Sequence, residues 1–477
     1  MESDMPTAPD TVRELEELRN VFDAQRAAFR RQPNPPAGER QAHLDALCRL
    51  LTENADAMAA AIDEDFGHRS WHETKLLEVF PSLEAAKHAR RRVAQWMCAE
   101  RKGVSIWFWP GQAEVVKQPL GVVGVLAPWN YPLYLSVAPL VSALAAGNRV
   151  ILKPSEFTPR SSELLARLVA RHFSRDHVAT VNGGVEVARA FAALPFDHLL
   201  FSGSTSVGRE VMRAAAANLT PVTLELGGKS PAIVAPGFPI ETAAYRILAG
   251  KCLNAGQTCV APDYALIPEG TEAAFIAAAR AAVGRLYPGG AASADYTAII
   301  NARHFGRLRE CVDDAAKKGA RVIELAGGTS ESDRKFAPTI VAGVDDGMRI
   351  MQDEIMGPLL PVKTYRTIEE ALGYLAGHPR PLALYYFDYD PARIQRMLAE
   401  SLSGGVTIND TILHIAQEAL PFGGTGSSGM GHYHGEEGFN TFTKRKGVFR
   451  QSRLSWVSVL RPPYGKLIDR ALRVMLR

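Results

Sequence analysis

The sequence predicts an α/β protein with two parallel-sheet halves, and three observations carry that prediction. Short β-branched runs alternate with helical segments from residue 122 onward. The runs are apolar at successive positions, which marks strands buried on both faces of a parallel sheet. The alternation passes through two cycles that meet at Gly227-Gly228, and 477 residues are enough for two or three cores.

The elements follow in order. Residues 11–32 and 40–64 carry the apolar spacing of amphipathic helices, separated by Pro33-Asn-Pro-Pro36. A third helical pattern covers 71–101, with Arg90, Arg91 and Arg92 on its solvated face. The first cycle places strands at 122–127, 149–152, 178–181, 198–202 and 222–226, with helices near 133–146, 159–173, 185–193 and 206–217. The second places strands at 231–234, 264–267, 321–325 and 382–387, with helices at 239–254, 271–285, 302–318 and 367–377. Residues 421–429 form a glycine-rich loop, and the Phe/Thr-rich stretch 438–448 reads as an extended strand or arm.

Composition narrows the function classes. The 54 basic and 51 acidic residues are interspersed and leave a net charge of +3, so nothing argues for a nucleic-acid partner. The five cysteines are widely spaced without a C-x-x-C, which argues against a disulfide framework or a zinc site and for a reducing, cytoplasmic setting. Met1-Glu-Ser-Asp-Met5 lacks the apolar stretch of a signal peptide. The longest apolar run, 121–127, stops at Pro128, too short to cross a bilayer. The last run, 466–477, reads as a basic amphipathic helix lying on its own protein surface, with loose membrane attachment as the alternative.

Two short runs concentrate the chemistry: Leu224-Glu-Leu-Gly-Gly-Lys229 and Asn254-Ala-Gly-Gln-Thr-Cys259. A thiol acts as the thiolate, and the loop before Cys259 offers N–H groups that favour the anion. The alternative is a small buried hydrophobe, the reading adopted for Cys48, Cys98, Cys252 and Cys311 in helical patterns. Glu225 is either a buried carboxyl with a raised pKa, suited to general base work, or a strand-end carboxylate satisfied by backbone N–H groups. Asn130, after the strand at 122–127, is an oxyanion donor or a turn residue between prolines. The loop 201–208 follows a strand and opens a helix, which suits a pyrophosphate, though its glycines at 203 and 208 do not make G-x-G-x-x-G. Lys153-Pro-Ser-Glu156 is a second strand-end loop, whose acid can accept ribose hydroxyls or simply face solvent.

Together Pro128-Trp-Asn130, Lys153-Pro-Ser-Glu156, Phe201-Ser-Gly-Ser204, Leu224–Lys229, Gly256-Gln-Thr-Cys259, Glu354-Ile-Met-Gly-Pro358 and Pro421-Phe-Gly-Gly424 resemble the aldehyde dehydrogenase superfamily over about residues 15–460. Asn409-Asp-Thr411, His414 and Gly431–Gly438 are similar to the coniferyl-aldehyde and fatty/aromatic aldehyde dehydrogenase group. The resemblance implies a Rossmann-like cofactor domain (1–101 and 124–226), an α/β catalytic domain (227–411), oligomerisation segments (102–123 and 412–460) and a tail (461–477). It implies that Cys259 attacks an aldehyde, that Asn130 and the Cys259 N–H hold the oxyanion, and that Glu225 activates the hydrolytic water. It implies that Lys153 and Glu156 hold the adenosine ribose, that Gly203, Ser204 and Gly208 surround the pyrophosphate, and that Glu354 holds the nicotinamide ribose, with Trp129, Leu226 and Met356 in the same site. Met356 departs from the family's aromatic residue, and Ser206 stands where an acid is common. Glu156 would repel a 2′-phosphate, which favours NAD while leaving NADP open. A homodimer and a small aldehyde substrate are implied. A coenzyme A-acylating enzyme is the first alternative, which Glu225 argues against, and a non-catalytic protein on the same scaffold is the second.

Overall fold

The computed structural model describes residues 8–454, 457 and 460–476. The polar N-terminal run, the start of segment 1–101, positions 455, 456, 458 and 459 of segment 412–460, and Arg477 of the tail lie outside the described residues.

Sixteen strands are described: β1 (Glu100–Lys102), β2 (Gln112–Pro119), β3 (Val122–Leu126), β4 (Arg149–Lys153), β5 (Val178–Thr180), β6 (His198–Gly203), β7 (Val222–Leu226), β8 (Pro231–Val234), β9 (Tyr264–Pro268), β10 (Arg321–Glu324), β11 (Thr339–Ala342), β12 (Leu359–Tyr365), β13 (Ala383–Phe387), β14 (Gly405–Ile408), β15 (Gly429–Met430) and β16 (Thr443–Arg450). They form three sheets. One has the order β15-β7-β6-β3-β4-β5, the second β10-β11-β12-β9-β8-β13-β14, and the third β1-β2-β16. The first two are parallel except for the antiparallel edge pairs β15–β7 and β10–β11. All five residues of β3, of β4 and of β13 are buried, as runs apolar on both faces require. The helix Tyr134–Ala146 is buried at every position and forms part of the core of the first sheet.

Parallel strands present their carboxyl ends on one side, where α/β proteins form their ligand crevices. Here those ends deliver Asn130 after β3, Lys153 at the end of β4, Gly203-Ser204 at the end of β6 and Glu225-Leu226 in β7. The glycine-rich run returns β15 beside β7, pairing Gly429 with Glu225.

Several elements differ from the sequence reading. The pattern 40–64 is two helices, Ala37–Glu53 and Ala55–Phe66, broken where Asn54 leaves helical geometry (φ −125, ψ 17). The pattern 71–101 divides into Trp71–Thr74, a π-helical turn Lys75–Val79 and Phe80–Trp96 before the chain enters β1. The stretch 438–448 is half helix: Gly435–Thr441 coils with Glu436 and Glu437 in its first turn and Phe439 buried, and only then does β16 begin. Strands β11, β12 and β14 are absent from the sequence reading; Pro361 interrupts the run in β12. The helix Pro391–Glu400 is also absent from it, although Asp390 caps it by accepting from the N–H groups of Ala392 and Arg393. Cys98 lies just past the helix Phe80–Trp96 and is exposed, so the helical reading fails for that cysteine. In the tail helix Lys466–Met475 only Ile468 is buried, while Leu467, Leu472 and Val474 are exposed, so it covers its own surface with one side chain rather than a face.

Candidate active site

The cysteine loop is built by backbone geometry. The helix Ile240–Cys252 ends in a tight turn in which Asn254, Ala255 and Gly256 all have positive φ (52°, 49° and 75°). A side chain at Gly256 would run into the Gly357 carbonyl, so only glycine allows the two loops to touch there. The chain then reverses and leaves Cys259 half-buried between two cavities.

The first cavity, about 150 Å³, is a cleft at the strand ends, with Trp129, Asn130, Gly203, Ser204, Glu225 and Leu226 in its wall. Glu354 and Met356 close it from the facing loop. Gly227 permits this, since a side chain there would collide with the Glu354 carboxyl. Ser204 caps the helix Thr205–Ala216 by accepting from Val207 N–H. Gly208 in that helix packs against Leu226. Beside the cleft, the buried Lys153 Nζ donates to the exposed Glu156 at 3.1 Å. Ser206 accompanies Ser204, their hydroxyls 3.1 Å apart.

These residues fit a dinucleotide. Ser202 Oγ, both Glu225 oxygens and Glu354 Oε1 are buried polar atoms without a protein hydrogen bond, and such atoms normally have a partner. A capped helix start for a diphosphate and carboxyls for ribose hydroxyls supply the matching chemistry.

Electrostatics sort the ionisable groups. Glu225 is buried and holds its proton well above the usual carboxylate range, because no donor compensates its desolvation. Of the two readings open for this residue, the buried carboxyl is the one the structure contains. Burial pushes Glu354 up to about 8, with Asp263 adding to the shift and the Gly228 N–H opposing it. Cys259 is pushed up to about 12 by burial and then by Glu354 and Glu225. The N–H groups of Cys259 and Val260, rather than those of the preceding loop that the sequence suggested, point at the sulfur and pull the other way, but they do not win in the ligand-free site. When the two carboxyls are protonated their repulsion vanishes, so the thiol and both acids are coupled.

The second cavity is a funnel of about 630 Å³ reaching Cys259 from the opposite side. Its walls include Leu76, Leu77, Phe80, Tyr131, Tyr134 and Leu253, and its polar groups include Glu84, His88, Arg91 and Glu418. Tyr131, Tyr134 and the loop after Asn409 line it, whereas Trp129 faces the cleft and His414 is buried behind the loop. Burial raises Glu418 to about 7 and the neighbouring Glu84 adds to the shift, while the Gly435 N–H opposes it.

Sequence reasoning missed several lining residues. His304 stands in the cleft against Trp129, ring centroids 5.0 Å apart, with burial lowering it to about 4. Tyr433 and Phe422 also close the cleft. Leu76 and Leu77 reach the funnel from the π-turn, a distortion that often marks functional positions but has no reliable sequence signal. A lone histidine in the first turn of a helix carries no signal of its own either.

A parallel sheet with a dinucleotide cleft at its strand ends, a thiol at the cleft floor and a funnel behind it define an NAD(P)-dependent α/β oxidoreductase. The aldehyde dehydrogenase family model matches residues 11–448, and the chain belongs to that family. It is 53% identical to a probable coniferyl aldehyde dehydrogenase of Pseudomonas aeruginosa over 98% of each chain. It is 39% identical to a dimeric NADP-preferring aldehyde dehydrogenase of Rattus norvegicus, over 94% of this chain and 96% of that one. Among solved structures it is similar to substrate-bound Staphylococcus aureus AldH, with a TM-score of 0.91 and 36% identity over 96% of this chain and 99% of that one. The protein oxidises an aldehyde to the carboxylic acid with NAD(P). No helix among the described residues is long and apolar enough to cross a membrane.

Proposed function

We propose that Cys259 is the nucleophile and acyl carrier, Asn130 with the Cys259 N–H the oxyanion donors, and Glu225 the base for the hydrolytic water. The observation that carries this reading is that the Cys259 side chain lines both the cleft and the funnel. The thiol loses its proton to solvent, Sγ bonds to the aldehyde carbon, and the π pair of the carbonyl moves onto its oxygen, which takes the negative charge between the two donors. A nicotinamide held in the cleft would supply the hydride acceptor for that carbon. Cys259 carries the substrate first as the thiohemiacetal and, once the hydride has left, as the thioester. Glu225 then takes a proton from water, whose oxygen bonds to the thioester carbon; the C–S bond breaks and the carboxylic acid leaves. Lys153 and Glu156 hold the adenosine ribose, Ser204 with the N–H groups near Gly203 and Gly208 the pyrophosphate, and Glu354 the nicotinamide ribose. Trp129, Leu226 and Met356 complete the cofactor wall. The exposed Glu156 supports NAD over NADP by repelling a 2′-phosphate.

The aldehyde is a coniferyl-type aromatic or a medium- to long-chain aliphatic aldehyde; the apolar and aromatic funnel and the name of the Pseudomonas aeruginosa relative support the former. The sheets correspond to a cofactor domain, a catalytic domain and a bridging arm. The arm exposes Ile106, Trp109 and Phe449 and leaves the β16 edge unpaired, which supports a homodimer. A cytoplasmic enzyme with at most peripheral membrane contact through the tail completes the reading.

Initial rates with cinnamyl, benzyl and straight-chain aldehydes, with NAD or NADP, test this reading. Coniferyl-type aldehydes with NAD are expected to give the highest kcat/KM, and Cys259→Ser to abolish turnover. Dependence on coenzyme A would replace the hydrolytic role of Glu225, and turnover by Cys259→Ser would end the assignment of the thiol.

A further inference from the structure

A buried polar lattice lies behind the two oxyanion donors; Asn254, Arg69, Glu73 and Glu78 line neither cavity, while Tyr131 and Thr258 also face the funnel. Asn254 is fully buried, and its Nδ2 donates to the backbone oxygen of Asn130 at 2.9 Å and to that of Gln257 at 3.1 Å. The Asn130 amide returns the contact, its Nδ2 donating to the same Gln257 oxygen at 3.2 Å. That bond also fixes which end of the Asn130 amide is the nitrogen, since a carbonyl accepts only from N–H. A second stitch joins the same loops, with Tyr131 Oη 2.7 Å from Thr258 Oγ1.

The lattice is anchored deeper in the protein. Arg69, fully buried, donates to Asn130 O at 3.3 Å and pairs with Glu78 at 2.6 Å. Glu78 accepts from the N–H groups of Leu133 and Tyr134, which sets the start of the helix carrying the funnel wall. Glu73 accepts from Asn254 N–H and Thr297 Oγ1. Asn254 Oδ1 and Arg69 Nε and Nη2 make no hydrogen bond, but the bonds that are made tie the loops carrying both donors to buried groups, and displacing either loop would strand further polar atoms.

We infer that Asn254, seconded by the Tyr131 hydroxyl, is a positioning residue that sets the Asn130 amide relative to the Cys259 N–H so that both donors meet one oxygen. The inference rests on Asn130 acting as an oxyanion donor. There is a simpler account of the residue: asparagine tolerates left-handed backbone, and Asn254 has φ 52°. Glycine serves that need equally well but cannot bridge the loops, so Asn254→Gly separates the two accounts.

The experiment is a double-mutant cycle of Asn254→Gly with Asn130→Ala on the full-length enzyme, reading kcat, KM for NAD and the thermal midpoint. Asn254→Gly is expected to lower kcat about 10- to 100-fold, the penalty of a misplaced reacting group, with KM for NAD within about twofold. In the Asn130→Ala background it should cost nothing more. Unchanged kcat in Asn254→Gly, or losses that multiply across the cycle, would overturn the inference. No loss in Asn130→Ala alone would instead overturn the oxyanion reading, a distinguishable result. If Asn254→Gly does not fold, Tyr131→Phe carries the same cycle. Its expected loss is about threefold, one hydrogen bond's worth, and again absent without the Asn130 amide.

Discussion

The cleft at the strand ends and the funnel behind it share Cys259 but are assembled in opposite ways. The cleft is made mostly from short runs at the ends of β3, β6 and β7, where backbone geometry and a few polar side chains are set locally. The funnel is made from side faces of the π-turn, three helices and the 410–418 loop, segments hundreds of residues apart that bring mainly apolar and aromatic groups. The cleft offers fixed hydrogen-bonding positions for a constant ligand, while the funnel offers shape. Changes in the cleft should therefore affect every aldehyde alike, and changes in the funnel should alter the ratio between aldehydes.

The shared residue comes first. Cys259→Ser should lower kcat by at least about 10³-fold for all aldehydes, as loss of a covalent nucleophile does, while NAD binding followed by protein fluorescence stays intact. Unequal losses between aldehydes would show that the funnel depends on the thiol for more than chemistry.

Glu225→Gln should cost about 10²- to 10⁴-fold in steady-state kcat, the usual contribution of a general base, equally for every aldehyde. Its stability should change in the opposite direction. The folded pKa of Glu225 lies well above the ordinary glutamate value of 4.5, so the native state keeps a proton that the unfolded chain releases once pH exceeds that value. Stability is thus lost as pH rises toward the folded pKa. Thermal midpoints of Glu225→Gln minus wild type should grow from pH 5 to pH 8, and a difference that shrinks would contradict the buried carboxyl.

Glu354→Gln should raise KM for NAD or lower kcat by about tenfold, one charge-assisted hydrogen bond, without changing the ratio between benzyl and straight-chain aldehydes. Leu253→Trp in the funnel should do the reverse: it should shift that ratio by about tenfold and leave KM for NAD within about twofold. The smallest effect belongs to Met356→Phe, which restores a ring in the cleft wall and should change kcat by no more than about threefold.

This contrast also explains what the sequence made legible. The strand-end runs could be read because their chemistry is local: an acid closing an apolar strand, glycines where backbone approaches a ligand, a serine opening a helix. Both parallel sheets followed from runs apolar at successive positions. The funnel could not be read, because nothing in Lys75–Val79 announces a π-turn, and the apolar spacing of 71–101 fits an unbroken helix equally well. The electrostatics of Cys259 could not be read for a related reason. Backbone N–H groups that favour the thiolate are local, but the burial and the two carboxyls that oppose them come from distant segments. Asn254 closes the helix read at 239–254, and its bonds to the Asn130 loop appear only in the fold.

The central claim is that one thiol, reached from both cavities, carries the acyl group that Glu225 then releases. It is tested most directly by mixing Glu225→Gln enzyme with NAD and an aldehyde, quenching in acid and mapping the mass of tryptic peptides. The account predicts a burst of close to one NADH per active site and an acyl adduct on the peptide containing Cys259. Steady turnover at the wild-type rate, or an adduct on any other residue, would contradict it.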